Sequence, residues 1–379
     1  MAEAAPPPAP EPVAGATAAR ETPPASASVS VRKANDTETP NPWPFYLLHV
    51  AAFGGLFFVE VGPEDLWLAL GLYMMRMFGV TAGYHRYFAH KAFRTSRVFQ
   101  FILAVLAQSS AQRGVLWWAA HHRAHHRHSD TDRDLHSPVR KGFWHAHFGW
   151  IIEPQNHDTD YEAIRDFAKY PELVWLDRNP FLVVVVLGAI VFAIGGWSAL
   201  VMGYLVSLVA TYHATFCINS LAHVHGRQRF VTGDHSRNNW MLAIVTMGEG
   251  WHNNHHAFPN AARQGFKWWE FDLTYLILRG LALVGIVRDL RQPPPEMIQG
   301  IQIPGPALLE RAAQQLLHDF HDRLARARQE WRMPTMEELR KLAARRMPKN
   351  PHLDAIIARA VAMADTWMPH QALQTAGKA

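Results

Sequence analysis

Four apolar stretches, each close to the length of a membrane-spanning helix, constrain the fold of this chain most strongly. They lie at about residues 44–61, 66–84, 180–197 and 198–220. An apolar helix needs roughly 20 residues to cross the hydrocarbon core of a bilayer. The stretches fall into two pairs joined by short turns. We therefore expect an all-α polytopic membrane protein with four transmembrane helices; a soluble protein with four buried core helices is the alternative.

The distribution of basic residues predicts the orientation of these helices. The turns at residues 62–65 and 195–198 carry no Lys or Arg, whereas residues 85–179 carry thirteen. Basic loops face the cytoplasm in membrane proteins. We expect a multi-pass protein of a bacterial inner membrane, with both termini and the long polar segment in the cytoplasm. Because an unpaired charge inside a bilayer is costly, we expect Arg76 to face protein, with Glu60 or Glu64 as candidate partners. Snorkelling of the side chain along a tilted helix is the alternative.

Composition divides the chain into three parts. Residues 1–42 are rich in Pro and Ala without an apolar period, which predicts a disordered tail and not a signal peptide. We expect residues 43–291 to form a membrane domain with a cytoplasmic cap, and residues 292–379, which follow a proline breaker, to form a helical extension without assigned chemistry. The net charge of +5 is spread along the chain, which favours a lipid membrane surface over nucleic acid as a partner.

Histidines are concentrated in the middle of the chain, with eighteen of the 23 between residues 85 and 256. Two clusters repeat an H-x-x-H-H pattern, whose imidazoles share one helix face and can converge on a metal. A third cluster is the pair His85 and His90, with i, i+5 spacing. The two positions lie about 140° apart on an ideal helix and should bracket a site at a helix end. Asn219 and His223 could complete the shell. The clustered residues are His85, His90, His122, His125, His126, His252, His255 and His256.

The number of ligands predicts two metal ions. Imidazole suits iron, zinc, copper and nickel, so the ligand type leaves the metal open. Nine histidines at four or five per ion fit two ions. A histidine-rich metal transporter or sensor is an alternative, but it should place its ligands near the bilayer midplane. Here the histidines gather at the cytoplasmic ends of the predicted spans.

These motifs resemble those of the membrane-bound fatty acid desaturases, of the acyl-CoA delta-9 (stearoyl-CoA desaturase) type, in a form without a fused cytochrome b5 domain. The similarity covers roughly residues 49–290. It is carried by GVTAGYHRYFAH at 79–90, HHRAHHRHSDTDRDLHSP at 121–138, NSLAH at 219–223 and GEGWHNNHHAFP at 248–259.

The resemblance implies a fold with four membrane helices under a cytoplasmic helical cap that holds a di-iron site. It assigns iron binding to nine histidines and gives an asparagine a role through a bound water. On this chain those residues are His85, His90, His122, His125, His126, His223, His252, His255, His256 and Asn219.

The resemblance also implies the reaction, an O2-dependent insertion of a cis double bond at carbon 9 of a saturated acyl chain. An unactivated C–H bond offers no acidic proton, so the di-iron centre is the catalyst and no separate acid or base residue is expected. Acyl-CoA is the expected substrate, with acyl carrier protein or phospholipid as other carriers. A membrane di-iron hydroxylase of acyl or alkyl chains is the alternative.

The reaction needs two electrons from another protein. The sequence has neither a haem-binding His-Pro-Gly-Gly nor a G-x-G-x-x-G after a strand. A ferredoxin-, rubredoxin- or cytochrome-type donor with its reductase is therefore an expected partner.

Two further sets of residues are candidates for substrate contacts. The small residues Gly79, Ala82 and Gly83 could let an acyl chain pass, or could serve helix packing instead. Arg140 and Lys141 could meet the phosphates of a head group, or could contact lipid.

Overall fold

The computed structural model describes residues 41–327, 332–346 and 351–376, so almost all of the predicted tail at residues 1–42 lies outside the described residues. The described part is mostly helical, as predicted. Its strands form one short antiparallel pair, Arg94–Thr95 with Val287–Arg288. The α-helices are Trp43–His49, Pro63–Phe78, Arg97–Gln108, Val115–His128, Pro138–Lys141, Trp150–Ile152, Arg165–Ala168, Pro171–Arg178, Leu182–Ser198, Ser207–Asn219, Trp240–Val245, His252–Ala257, Leu273–Leu283, Pro295–Gln299, Pro306–Arg326, Met336–Arg346 and Leu353–Ala376.

Wider and tighter helical turns continue several of these helices. The π-helical segments are Val50–Gly54, Gly79–Ala89, His145–Gly149 and Ala199–Val206, and the 3₁₀ segments are Leu56–Phe58, Pro154–Asn156 and Leu221–His223.

Two helices among the described residues are long and apolar enough to cross a membrane, where the sequence predicts four. They are Pro63–Ala89 and Leu182–His223, while Trp43–Phe58 is a shorter apolar helix. The second of them covers both predicted stretches, 180–197 and 198–220, except for residues 180 and 181.

A sharp turn at Gly196 divides the longer helix. The backbone of Gly196 has φ 67° and ψ −155°, a conformation that residues with a Cβ atom rarely adopt. The Tyr204 hydroxyl donates a hydrogen bond to the Val184 carbonyl, twenty residues earlier. A straight helix would separate these residues by about 30 Å. The chain therefore reverses at the turn, and its two arms pack against each other.

Arg76 is fully buried within Pro63–Phe78 and binds backbone and hydroxyl oxygens. It donates to the carbonyls of Ser109 and Tyr204 at 3.1 Å and to the Ser207 hydroxyl. The expected pairing with Glu60 or Glu64 is wrong. Glu64 lies twelve residues away, about 18 Å along the helix, so its carboxylate is out of reach.

The helix Val115–His128, which carries the second histidine cluster, is held at its first turn by a distant carboxylate. Asp177 Oδ1 accepts from the backbone N–H groups of Leu116 and Trp117 at 2.8 and 2.9 Å. A Cβ at Gly114 would collide with this carboxylate, so glycine permits the contact. The contact satisfies orphan donors at the positive end of the helix and fixes its axis.

The last three helices pack together with a core of their own, and we call them the C-terminal bundle (Pro306–Arg326, Met336–Arg346 and Leu353–Ala376). Leu316, Leu317 and Phe320 of the first helix are buried in it with Ile356 and Ile357 of the third. Val231, from the region between the second and third histidine clusters, belongs to the same core. Its backbone also exchanges two hydrogen bonds with the side chain of Gln302.

Candidate metal centre

The nine predicted histidines converge in two groups, within each of which the candidate ligand nitrogens all lie within 4.8 Å of one another. The five-histidine group consists of His85, His90, His122, His126 and His255. The four-histidine group consists of His125, His223, His252 and His256. Each H-x-x-H-H repeat contributes to both groups, so the two groups are interleaved.

The nitrogen spacing in both groups fits a bound metal. In the five-histidine group, Nε2 of His255 lies 3.0 Å from that of His85 and 2.9 Å from that of His126. In the four-histidine group, Nε2 of His223 lies 3.0 Å from that of His252. Two imidazoles bound at right angles, with metal–nitrogen bonds of about 2.1 Å, place their nitrogens about 3.0 Å apart.

A π-helical segment explains how His85 and His90 join one group. Residues Gly79–Ala89 are π-helical and fully buried, and the His90 N–H donates to the His85 carbonyl at 3.1 Å. Hydrogen bonds from i+5 to i widen the helix and bring these two positions together, with ring centres 4.8 Å apart. The angle of an ideal α-helix therefore does not apply here.

Four buried carboxylates orient the histidines and were not among the predicted site residues. Each accepts from a ring Nδ1–H, which leaves Nε2 with a lone pair directed into its group. The pairs are His85 with Glu249 at 2.6 Å, His125 with Asp134 at 3.0 Å, His223 with Asp130 at 2.8 Å and His256 with Asp234 at 2.7 Å. Three of the four carboxylates stand inside the quoted motifs, which was the available signal.

Burial and neighbouring charges shift the pKa values of the site in different directions. Burial alone would lower the pKa of His223, but the adjacent Asp130 carboxylate raises it above its usual value. Burial first, and neighbouring imidazoles second, hold the pKa of His122, His126 and His255 well below the usual range. Burial alone would raise the pKa of Asp134, but the adjacent His125 lowers it below its usual value. Among the described residues, the buried Nε2 of His256 has no hydrogen-bond partner, as expected for a nitrogen that binds a metal.

An apolar cavity of about 480 Å³ adjoins the five-histidine group. Its wall includes His122, His136 and Asn219, and the half-buried Asn219 ends the helix Ser207–Asn219. Leu208, eleven residues earlier on this helix, also lines the cavity, which therefore extends about 16 Å along the helix. Other lining residues are Pro44, Phe45, Leu48, Trp117, Trp118, Phe148, Ile151, Val184, Tyr212 and Phe216.

The small residues proposed for the acyl tunnel are buried against another helix. A Cβ at Gly79 would lie 2.5 Å from the Leu106 backbone, and one at Gly83 would lie 2.9 Å from the Leu103 carbonyl. Ala82 is fully buried in the main core. These positions allow the π-helical segment to pack closely on Arg97–Gln108, and other residues line the cavity.

The two predicted head-group residues have different environments. Arg140 pairs with Asp322 of the C-terminal bundle at 3.0 Å and donates to the Asp130 carbonyl at 3.2 Å, and its side chain is 10% exposed. Lys141 is exposed.

Comparison with known proteins agrees with this arrangement. Residues 65–285, more than half of the chain, match the family model "Fatty acid desaturase". The chain is 34% identical over 264 residues to sn-1 stearoyl-lipid 9-desaturase of Anabaena variabilis, covering 68% of this chain and 97% of that protein. It is 34% identical over 257 residues to acyl-CoA 5-desaturase AL21 of Anemone leveillei, covering 65% and 80%. It is 36% identical over 270 residues to hex-5-enoyl-[acyl-carrier protein] acetylenase of Moorena producens, covering 66% and 84%.

Proposed function

This chain belongs to the fatty acid desaturase family and is an oxidoreductase that acts on fatty acyl chains, and on that premise we propose that it inserts a cis double bond at carbon 9 of a saturated chain. The observation that carries this proposal is the convergence of nine histidines in two groups beside an apolar cavity. The position of the double bond is supported by the 9-desaturase among the relatives.

In this proposal each histidine group holds one iron ion, and Asn219 contributes through a bound water. Bound iron would supply the oxygen-activating chemistry that a C–H bond without an acidic proton requires. The chain's own residues prepare the site for it. Glu249, Asp130, Asp134 and Asp234 hold four imidazoles in the tautomer that presents Nε2. Six of the nine histidines are buried and three are half-buried, which limits the access of bulk water to the site.

The apolar cavity would hold the acyl chain against the five-histidine group. The cavity reaches His122 at one end and extends along Ser207–Asn219. Acyl-CoA is the proposed substrate, although the relatives act on chains carried by lipid, coenzyme A and acyl carrier protein. Of the two basic residues proposed for the head group, the exposed Lys141 is free to meet a phosphate, while Arg140 is engaged with Asp322.

We further propose a multi-pass arrangement in a bacterial inner membrane, with four spans and a cytoplasmic active site. The two arms of Leu182–His223 reverse at Gly196 and would each cross once, as would Pro63–Ala89 and Trp43–Phe58. The basic segment at residues 85–179 favours cytoplasmic placement of the cap. A ferredoxin-, rubredoxin- or cytochrome-type protein with its reductase would dock there and deliver two electrons.

The experiment that tests the reaction is expression in a host that lacks unsaturated-fat synthesis, followed by mass spectrometry of its fatty acids. We expect products that have lost two hydrogens, with the double bond at carbon 9. A gain of one oxygen would indicate the hydroxylase alternative instead. A profile identical to that of the empty host would contradict both reactions.

The length of the cavity should set the preferred chain length. Val184 lines it, and its carbonyl accepts from Tyr204, one helical turn before Leu208, so it lies at the end remote from Asn219. We expect Val184→Trp to lower the ratio of stearoyl-derived to palmitoyl-derived products by roughly tenfold, because extra methylenes are strongly rejected by a filled pocket. The measurement is the product profile in the same host.

The neighbouring Val185→Trp is the matched control, since the Val185 side chain is exposed on the outside of the same helix. It should leave the product ratio unchanged. Equal profiles for both variants would show that this part of the cavity does not hold the acyl chain.

A further inference from the structure

We propose that the C-terminal bundle positions the four-histidine group through a buried chain of contacts from Asp319 to His223. This inference rests on the proposed pair of metal ions and adds a role for residues 306–376. The bundle lies outside residues 65–285, where the family match ends, so nothing in that match assigns it a function.

The chain of contacts begins at a carboxylate on the first bundle helix. Asp319 accepts from His235 Nε2 at 3.0 Å, and Gln315 of the same helix lies 3.4 Å from His235 Nδ1. These two contacts fix the ring of His235, whose side chain is 8% exposed.

His235 in turn positions the carboxylate of Asp130, which binds the predicted metal ligand His223. The His235 backbone N–H donates to Asp130 Oδ2 at 2.8 Å, and the same oxygen accepts from His223 Nδ1 at 2.8 Å. The Asp130 side chain is completely buried. The orientation of His223 therefore depends on Asp130 and, through it, on His235, which the bundle helix Pro306–Arg326 holds in place.

The segment around His235, residues 232–236, supports a second ligand of the same group. Asp234 accepts from His256 Nδ1 at 2.7 Å. The bundle also packs closely against this segment at Gly233, whose φ is 76°. A Cβ at this position would lie 2.9 Å from the Cβ of Arg311. The bundle thus braces the supports of His223 and His256, which both belong to the four-histidine group.

Residues that hydrogen-bond to metal ligands orient those ligands. Their loss typically weakens the affinity for the metal 10- to 100-fold. Asp319 is a positioning residue that acts through His235 and Asp130, without contacting a ligand itself. We expect Asp319→Ala in the full-length protein to accelerate the loss of one of two iron ions to a chelator by about tenfold. The second ion, in the five-histidine group, should leave at the wild-type rate.

The matched control is Glu310→Ala on the same helix, which removes the same charge and the ion pair with Arg359 but no contact to His235, Asp130 or Arg140. It should keep the wild-type release kinetics. Asp319→Asn retains an acceptor oxygen for His235 and should restore slow release. Mössbauer spectra of the iron-loaded variants provide an independent reading, with one of two iron environments altered in Asp319→Ala alone.

The possible outcomes separate this inference from the proposed function. Iron release and Mössbauer spectra of Asp319→Ala that match the wild type would overturn the inference, but they would not contradict the proposed desaturase function. Equal acceleration in Asp319→Ala and Glu310→Ala would also overturn it, because the bundle would then act only on general stability. A wild-type protein that binds no metal would instead contradict the proposed metal centre itself.

Discussion

Replacement of His125 by alanine should abolish desaturation and reduce the bound iron from two ions to one per chain. His125 is buried in the four-histidine group, with its ring centre 5.4 Å from those of His223 and His256. Its removal would leave three imidazoles, and the Asp134 carboxylate would keep only its backbone donors, the N–H groups of Asp130 and His136. Because it is a direct ligand in our proposal, the loss of affinity should exceed the roughly 100-fold that outer partners cost. Iron analysis of the purified protein and the fatty-acid profile measure the two effects.

The control for this experiment is His225→Ala, since His225 is an exposed histidine two positions from His223. It should retain both iron ions and full activity. Both variants should be present in the membrane fraction at the wild-type level. Full activity and wild-type iron content in His125→Ala would remove His125 from the metal site.

Replacement of Arg86 by methionine should destabilise the protein by about 3–5 kcal/mol, the usual cost of breaking a buried ion pair on one side. The Arg86 side chain is 1% exposed and pairs with Glu249 at 3.0 Å and Asp272 at 2.9 Å. It also donates to the Ala262 carbonyl at 2.7 Å. Methionine keeps the volume but leaves two buried carboxylates without their cation. Thermal unfolding in detergent should show a fall in Tm of roughly 5 °C for a chain of this length.

The effect should extend to the metal centre, because Glu249 also holds His85. The comparison is Arg97→Met, which breaks the exposed ion pair with Glu172 at 2.7 Å. Solvent and salt screen such surface pairs, so the Tm should change little. If Arg86→Met and Arg97→Met unfolded at the same temperature, the buried network would not be a source of stability.

The local patterns that predicted the metal centre were short and regular. Two H-x-x-H-H repeats lie on helices, where i, i+3 and i+4 share a face, so their histidines could be recognised without any distant contact. The carboxylate partners were not recognised, although the second motif contains Asp130 and Asp134. Their role depends on which ring they meet, and Asp130 meets His223, which lies 93 residues later.

The same limit applies to the helices. The apolar stretches predicted where helices lie, but the partners of Arg76 come from residues 109, 204 and 207. Local spacing also predicted an ideal angle between His85 and His90. The buried π-helical segment changes that angle through hydrogen bonds between i and i+5.

The helical class, the apolar stretches, the nine clustered histidines and the family could all be predicted from the sequence, because periodicity and contiguous motifs are local properties of a chain. The division of the histidines into two groups, the carboxylates that orient them and the contact of the C-terminal bundle with Asp130 through His235 became visible in the folded chain alone. These contacts join residues far apart in the chain. Their geometry depends on how buried helices pack, and sequence spacing carries no record of it.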